Sequence, residues 1–547
     1  MSLAGPSDET VGTGGLNEVL ESQAGLRVLA ALALAAVLLH FVALESAPPG
    51  LYVDEASYGY NAYSILRTGS DEAGVRLPLF FRSFGEYKNP VLAYSLVPLV
   101  GAFGPSILAI RIGSALFALA SALFVALVVQ EATSRRGLAR LAFLLTALLP
   151  WLFTPSRVAM EPVVLPCMIA LAWWAWLVAL RTRRVLPFMV SWSAWTLAFY
   201  SYSAGRLVAP LLAIVLVVVS WRDLRGARTR CVLASWPFVL GLGVALRWMA
   251  AHPGALTARL HIVAGWQEDA GLASQVLEVI TRYLAYFSPR FLLTHGDPIV
   301  RHHTGFGGEL FLFMAPLVIV GAVVAIRKRS AFSKFALAGF LAFPMAGSIT
   351  DSAGHATRTI GAVPFVTVLA IVGTAAVIEF LSDRPRIVLA GFAVAALEVS
   401  AFLFDFFAFY PERASTWFNR GLTEAVQTAR AAQHADLYFA PGAFRDENGF
   451  VNQPYILLAY LGGLDPALFQ RGGLAAFHIY PLDGTVQPPP GSVLLVKDSD
   501  ELFAASGRPV LVQSQLHIPP GARTVAEFAS HPGRTPPGPM FRVIAVP

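Results

Sequence analysis

The feature that most constrains this chain is a series of apolar segments, each close to the length that crosses a lipid bilayer. A transmembrane helix needs about 20 predominantly apolar residues. Segments of this kind lie at about residues 26–44, 104–130, 138–153, 162–180, 186–203, 207–221, 231–250, 309–326, 335–350, 359–381 and 387–408. With 56% hydrophobic and only 14% charged residues, the chain has more apolar surface than a globular core can bury. We therefore predict a mainly α, polytopic membrane protein with about eleven transmembrane helices.

Short clusters of basic residues predict the orientation of these helices. The clusters occupy every second connection, at residues 135–140, 181–184, 222–230, 327–334 and 384–386. By the positive-inside rule these connections are cytoplasmic. The polar segment 1–25 is then a disordered cytoplasmic tail of a cell-membrane protein, and everything after residue 408 lies outside. Topology also explains the net charge of +6, so no nucleic-acid partner is expected.

The segment 409–547 differs in character from the transmembrane domain, which we place at 26–408. A helical pattern at 416–433 is followed by short β-prone runs at 436–440, 492–497, 509–513 and 541–546, separated by turns rich in proline and glycine. This pattern predicts a small extracytoplasmic α/β domain.

The first outer connection, 45–103, contains a charged and aromatic stretch at 51–90 that is too long for an ordinary loop. Asp54 stands where a helix N-cap would lie and Gly69 where a helix would stop, so we predict a short helix over 54–67 with Tyr58 on the same face as Asp54. Spacing alone leaves open whether Asp54 is a cap or a functional carboxylate. Asp71 and Glu72 are expected to be solvated loop acids.

Other unusual polar residues also concentrate in the outer connections, and we expect them to converge on one extracytoplasmic face. Arg157 and Glu161 are four residues apart, which on a helix suits either an ion pair or a substrate contact. Arg206, at a span end, is explained either by snorkelling or by a phosphate contact. A channel would instead place its charges along the helices.

Histidines and an aspartate at 295–303 include side chains that bind zinc and other divalent ions. Their spacing matches no defined metal site, and the sequence His-Gly-Asp-Pro is also typical of a turn. We therefore predict no cofactor, with a divalent metal at His295 and Asp297 as the alternative.

Several motifs resemble those of glycosyltransferase family 39 and its neighbours, membrane enzymes of the C fold that include protein O-mannosyltransferases and lipid A aminoarabinose transferases. The resemblance covers most of residues 30–380 and rests on VDEASYGYNAYSILRTG, GEYKNPVLAY, FGPSILAIRIGSAL, PSRVAMEP, YSYSAGRLVAPLL, SPRFLLTHGDPIVRHHTGFGGEL and HATRTIGAVP. The chain departs from the family in reading Lys-Asn-Pro where the family has Lys-Pro-Pro. A tyrosine also separates Glu86 from Lys88, whereas the aminoarabinose transferases have adjacent Glu and Lys residues.

The resemblance implies that a sugar is transferred, with inversion, from a polyprenyl phosphate to an acceptor hydroxyl outside the cytoplasm. The acceptor would be a lipid, a glycan or a protein. Asp54 matches the catalytic general base, and Glu55 is the alternate or an orienting group. Lys88 matches the residue that binds the donor phosphate. We further expect Arg206, His355 and Arg358 at the phosphate, and Tyr58, Glu86, Arg157, Glu161, His302 and His303 at the substrates.

Two other functions remain open from the sequence. One is an enzyme that modifies lipid A or another cell-envelope glycan rather than a protein. The other is a transporter or flippase of lipid-linked saccharides, which needs no catalytic carboxylate. Replacing Asp54 by asparagine separates transfer from transport.

Overall fold

The computed structural model of the protein describes residues 20–255, 271–350, 354–440, 453–482, 488–497, 521–529 and 540–547. The chain divides into two compact units. The first comprises Met1–Val42 and Ser114–Asp405, and the second comprises Ala43–Gly113 and Phe406–Pro547. The unit with the C-terminal segment therefore also contains the first connection, which the sequence assigns to the transmembrane domain. Most of the tail 1–25 and the β-prone run 509–513 lie outside the described residues.

Helices make up most of the first unit. They are α1 (Gln23–Leu39), α4 (Ile107–Thr133, which begins in the second unit), α5 (Arg136–Leu148), α6 (Pro150–Ser156), α7 (Val164–Thr182), α8 (Val185–Phe199), α9 (Gly205–Val219), α10 (Arg228–Leu233), α11 (Trp236–Ala251), α12 (Leu272–Ala285), α13 (Met314–Lys328), α14 (Ala331–Ala342), α15 (Met345–Ser348), α16 (Ala356–Thr359), α17 (Val363–Phe380) and α18 (Pro385–Ala408). Short 3-10 turns at Glu161–Val163 and Ile360–Ala362 and a π turn at Arg290–Thr294 complete it.

The helices confirm a multi-pass membrane protein. Among the described residues six helices are long and apolar enough to cross a bilayer, or seven if the bent pair α5 and α6 is one span. A helix lies in each of the eleven predicted apolar segments, but several are shorter than a span, so the number eleven stays a prediction.

Close helix packing in the first unit depends on two glycines. A Cβ atom at Gly321 of α13 would lie 1.9 Å from the carbonyl oxygen of Leu369, and one at Gly373 of α17 would lie 1.9 Å from that of Leu317. Small residues let the backbones of membrane helices approach each other in this way. Glu398 of α18 has a structural role too, because its carboxylate accepts the backbone N–H groups of Leu312 and Phe313 just before α13.

The second unit combines helices with two sheets. Its helices are α2 (Val53–Thr68), α3 (Pro90–Phe103), α19 (Tyr410–Ala414), α20 (Leu422–Ala432), α21 (Pro454–Leu461) and α22 (Pro466–Gly472), with a 3-10 turn at Gly473–Phe477. Strands β1 (Phe81–Ser83) and β2 (Glu86–Lys88) form an antiparallel hairpin. The apolar helix α3 lies inside the predicted outer connection, so that connection is not all loop.

A five-stranded sheet forms the core of the C-terminal segment. Its strands are β3 (Leu437–Phe439), β4 (Ile479–Pro481), β5 (Val493–Lys497), β6 (Arg523–Ala529) and β7 (Met540–Ala545). They lie in the order β4-β3-β5-β7-β6, with β3 parallel to β4 and β5, and β7 antiparallel to β5 and β6. The small α/β domain is therefore confirmed at three of the four predicted β-prone runs.

Helix α2 is packed tightly against α21 and α22. A Cβ atom at Gly59 would lie 2.6 Å from the ring of Tyr460, so only glycine allows this approach. The Tyr60 hydroxyl donates a hydrogen bond to the carbonyl of Leu464. Gln470 of α22 donates to Ser64, Thr68 and the carbonyl of Asp71. Residues far apart in the chain therefore fix the position of α2.

Candidate active site

Helix α2 carries the predicted catalytic carboxylate in its first turn. The helix begins at Val53 after the N-cap residue Tyr52 and ends at Gly69, which adopts the left-handed conformation with φ 70°. Asp54 is thus the second helical residue, and the prediction that it stands at the N-cap is wrong. The glycine stop is confirmed.

A buried ion pair between Glu55 and Arg111 fixes the start of this helix. Both side chains are fully buried. The guanidinium donates to both carboxylate oxygens of Glu55, at 2.9 and 3.0 Å, and to the carbonyls of Leu44, Pro48 and Gly50, each at 2.7 Å. These acceptors use all five N–H groups of an arginine. Glu55 also accepts the backbone N–H of Tyr52, so it orients the helix start.

The hairpin β1–β2 returns the chain to the first turn of α2 and brings Lys88 to Asp54. The ammonium Nζ lies 2.6 Å from Asp54 Oδ1, although the residues are 34 positions apart. The Lys88 side chain is only 8% exposed, whereas that of Asp54 is 31% exposed. An accessible carboxylate is therefore in contact with a largely buried positive charge.

Further side chains shape the environment of Lys88. Its ammonium lies 4.0 Å from Glu86 Oε1, 4.7 Å from the centre of the Phe84 ring and 5.4 Å from that of Tyr58. Aromatic faces stabilise an ammonium without neutralising it. Of the residues predicted from the first connection, Asp54, Tyr58, Glu86 and Lys88 therefore come together, whereas Glu55 pairs with Arg111.

The prediction that Asp71 and Glu72 are solvated is wrong, since both are buried. Glu72 accepts hydrogen bonds from Asn61 at 2.8 Å and from the Tyr455 hydroxyl at 2.7 Å. Burial raises the pKa of Glu72 to about 7 despite these bonds. The tyrosine lies 383 residues further along the chain, so local sequence gave no sign of it.

We expect the stability of the second unit to fall as pH rises through 7, because of Glu72. An acid whose pKa is raised from 4.5 to about 7 by folding binds more protons in the folded state. Glu72 contributes about 3 kcal/mol to the free energy of unfolding below about pH 4.5. This contribution is lost as the pH rises from 4.5 to above 7. Melting curves of the full-length protein between pH 5 and 9 should therefore show a slope that Glu72→Gln removes. The exposed Glu424→Gln should leave the slope unchanged; an unchanged slope in Glu72→Gln would contradict this origin.

The first unit holds the remaining predicted residues, and one of them, Arg157, has structural contacts. Arg157 donates to the carbonyls of Leu39 and Val42 at the end of α1, groups that a helix terminus leaves without partners. Helix α6 ends at Ser156 and Glu161 begins a separate 3-10 turn, so the spacing of four is not a helical turn. Arg206 is half-buried in the first turn of α9.

Three residues from the predicted outer connections form a compact cluster: Asp297, His302 and His355. Asp297 Oδ2 lies 2.9 Å from His302 Nδ1 and 3.8 Å from His355 Nδ1. Burial opposes charge on Asp297, but the two histidines and a backbone hydrogen bond lower its pKa to about 2. Burial and the neighbouring His302 hold the pKa of His355 well below its usual range. Sequence spacing did not predict that His355 joins this group.

The other histidines lie apart from this cluster. His295 is exposed and contacts Thr294, so the pairing of His295 with Asp297 at a metal stays a prediction, and His295 is not a member of the cluster described above. His303 is fully buried and accepts the backbone N–H of Gly305. Arg358 donates to the hydroxyl of Thr350. The convergence of this group with Asp54 and Lys88 stays a prediction.

Arg111 is the important residue to which sequence reasoning gave no role. It lies in the motif FGPSILAIRIGSAL, where it is the one charged residue in an otherwise apolar segment. A charge in such a position is rare and is usually paired. That signal was sufficient to predict a partner, although not to identify Glu55.

Comparison with solved structures establishes the fold. The chain is similar to ArnT from Cupriavidus metallidurans bound to undecaprenyl phosphate, with 13% identity, 95% of this chain and 98% of that chain covered, and a TM-score of 0.54. Its apo form gives 14% identity with the same coverage and TM-score. An Archaeoglobus fulgidus oligosaccharyltransferase tethered to an acceptor peptide gives 12% identity, 83% and 63% coverage, and a TM-score of 0.49. No family model matches the sequence, and neither does any curated protein. The protein has the C fold of membrane glycosyltransferases.

Proposed function

We propose that the protein transfers a sugar from a polyprenyl phosphate to an acceptor hydroxyl on the extracytoplasmic side of the membrane. The observation that carries this proposal is the contact between the accessible Asp54 carboxylate and the shielded Lys88 ammonium. It places the ammonium of Lys88 beside a carboxylate that lies in the first turn of α2 and can act as a base. The fold shared with ArnT, which was solved with undecaprenyl phosphate bound, supports a lipid phosphate as the donor's carrier.

The reaction is a single displacement at the anomeric carbon. Asp54 removes the proton of the acceptor hydroxyl, and the acceptor oxygen attacks the carbon from the face opposite the phosphate. The carbon–oxygen bond to the phosphate breaks, its electron pair stays on the leaving phosphate, and the configuration inverts. An ammonium carries three N–H donors, so Lys88 can keep its contact with Asp54 while it binds the departing phosphate.

In this proposal about eleven helices span the membrane, with the N-terminus in the cytoplasm and the C-terminal α/β segment outside. Arg206 and Arg358 add positive charge for the donor phosphate, and His355 is assigned to the same phosphate as a neutral hydrogen-bonding group. Tyr58, Glu86, Arg157, Glu161, His302 and His303 are assigned to the substrates. The acceptor is a lipid, a glycan or a protein. Glu55 serves as the orienting group, since its two oxygens are bound to Arg111.

Purified full-length protein in lipid nanodiscs should be incubated with a panel of labelled polyprenyl phosphate sugars and with cell-envelope extracts. Transfer of label to an extract component, with release of unlabelled polyprenyl phosphate, supports the proposal. The anomeric configuration of the product, determined by NMR, tests inversion. Absence of transfer from every donor, in protein that melts cooperatively, would contradict it.

Lys88→Met is expected to lower kcat/KM for the donor about 10- to 100-fold, because a hydrogen bond to a charged group contributes about 1.5–3 kcal/mol. Lys88→Arg should retain part of the activity, since it keeps the positive charge. The exposed Arg82→Met in the same hairpin is the control and should act like the wild type. Equal loss in Arg82→Met would point to the hairpin fold instead of the phosphate contact.

A further inference from the structure

The cluster of Asp297, His302 and His355 has the composition and the size of a metal site. One potential ligand atom from each residue lies within 4.8 Å of the other two. Carboxylate oxygen and imidazole nitrogen are both ligands of zinc and related divalent cations. The three side chains come from two parts of the chain, because His355 follows His302 by 53 positions and is brought there by the fold.

We propose that Asp297, His302 and His355 bind one divalent cation of the zinc class. Ligand atoms around a tetrahedral zinc ion lie about 3.3 Å apart, given metal–ligand bonds of about 2.0–2.2 Å. Here Asp297 Oδ2 is 2.9 Å from one histidine nitrogen and 3.8 Å from another. These separations fall on either side of the ideal value, so small side-chain rotations are enough to place an ion between them.

The surroundings hold the three ligands in place. Asp297 Oδ1 accepts the backbone N–H of Ile299, and Oδ2 accepts that of Ala356. The backbone N–H of His355 donates to the Tyr286 hydroxyl, and His355 Nδ1 exchanges its contact with Thr357 Oγ1 for the ion. The rings of His302 and His355 are 4.6 Å apart between centroids. Metal sites depend on such outer contacts, which fix the ligands before the ion arrives.

A neighbouring carboxyl group gives an independent reason to expect a cation. Glu309 is fully buried, and its Oε1 accepts the backbone N–H of Asp297. Its Oε2 is buried and has no hydrogen-bond partner among the described residues. A cation held by Asp297 would place a positive charge near this oxygen, whose burial without a partner otherwise costs free energy.

The simpler explanation is a hydrogen-bonded pair of Asp297 and His302 without an ion. A pair of this kind explains the contact of 2.9 Å, but it gives no reason for a second imidazole beside the same carboxylate oxygen. Three protein ligands also leave a fourth position for water, as in zinc sites that are not closed by protein. The His355 side chain, 13% exposed, offers the route of entry.

The test is zinc binding to full-length, tag-free protein in detergent. After removal of bound metal with a chelator, the wild type should take up one equivalent of zinc. His302→Gln and His355→Gln should each weaken binding at least about 100-fold, which is the upper range for disturbing an outer contact alone. The exposed His295→Gln is the matched control and should bind like the wild type.

Cobalt(II) provides a readout that does not depend on the variants folding. Bound to the wild type in place of zinc, it should show the intense visible absorption of a four-coordinate ion with nitrogen ligands, and one equivalent of zinc should abolish this absorption. The proposal is overturned if the wild type binds zinc no more tightly than His302→Gln, or if cobalt shows only a six-coordinate spectrum. Because the readouts are metal content and absorption, they are independent of sugar transfer.

Discussion

Asp54→Asn is expected to lower kcat for sugar transfer by about 10²- to 10⁴-fold, the range that a general base contributes. The amide has nearly the same shape as the carboxylate but cannot accept the acceptor's proton. The neighbouring Glu86 remains to balance the charge of Lys88, so we expect donor binding to survive. Initial rates with a labelled polyprenyl phosphate sugar, together with donor affinity from equilibrium binding, measure the two effects separately.

Two further variants give this prediction its controls. Asp54→Glu keeps a carboxylate and should recover part of the lost rate. Asp436→Asn removes an acid that lies beside His478 in the C-terminal segment. This variant should transfer sugar at the wild-type rate. Wild-type turnover in Asp54→Asn would exclude Asp54 as the base. Lipid-linked saccharide movement across vesicles without any transfer would favour a transporter or flippase instead.

Arg111→Leu is expected to destabilise the second unit by about 3–5 kcal/mol, the effect of removing one member of a buried ion pair. The variant leaves the Glu55 carboxylate buried without its partner, and three backbone carbonyls lose their donor. The start of α2 should then shift, so transfer activity should fall as well. The measurement is the apparent melting temperature in detergent, followed by tryptophan fluorescence.

A double variant distinguishes this cause from a loss of packing. Glu55→Leu combined with Arg111→Leu removes the uncompensated charge, so it should be more stable than Arg111→Leu alone. It should not reach the wild type, because the carbonyls of Leu44, Pro48 and Gly50 still lack donors. The exposed Arg82→Leu is the control. If the double variant is no more stable than the single one, the ion pair is not the source of the effect.

Patterns that depend on neighbouring residues were predicted well from the sequence. Apolar length predicted the membrane-spanning character, and the glycine at 69 predicted where α2 ends. Helix α2 begins at Val53, one residue before the start predicted at Asp54. The prediction failed because an acid in the first turn of a helix resembles a cap in sequence. The β-prone runs in the described part of the C-terminal segment became strands for the same local reasons.

Contacts between distant residues could not be predicted in the same way. The contact between Glu72 and Tyr455 explains why Glu72 is buried, and the sequence gives no sign of this contact. The cluster at Asp297 likewise includes His355, which is distant in the sequence. The spacing of Arg157 and Glu161 suggested one helical turn, but α6 ends at Ser156, before both of them. In each case the tertiary structure determines the surroundings of the residue, and a single sequence does not reveal contacts between distant residues.

The composition of the second unit from two distant chain segments has a consequence for biosynthesis. Helix α2 is made early, but Tyr460, Leu464 and Gln470, which hold it, are translated some 400 residues later. A chain that ends before this point therefore has the predicted membrane helices but lacks the contacts that hold α2. The proposed transfer site is therefore complete only when translation is almost finished.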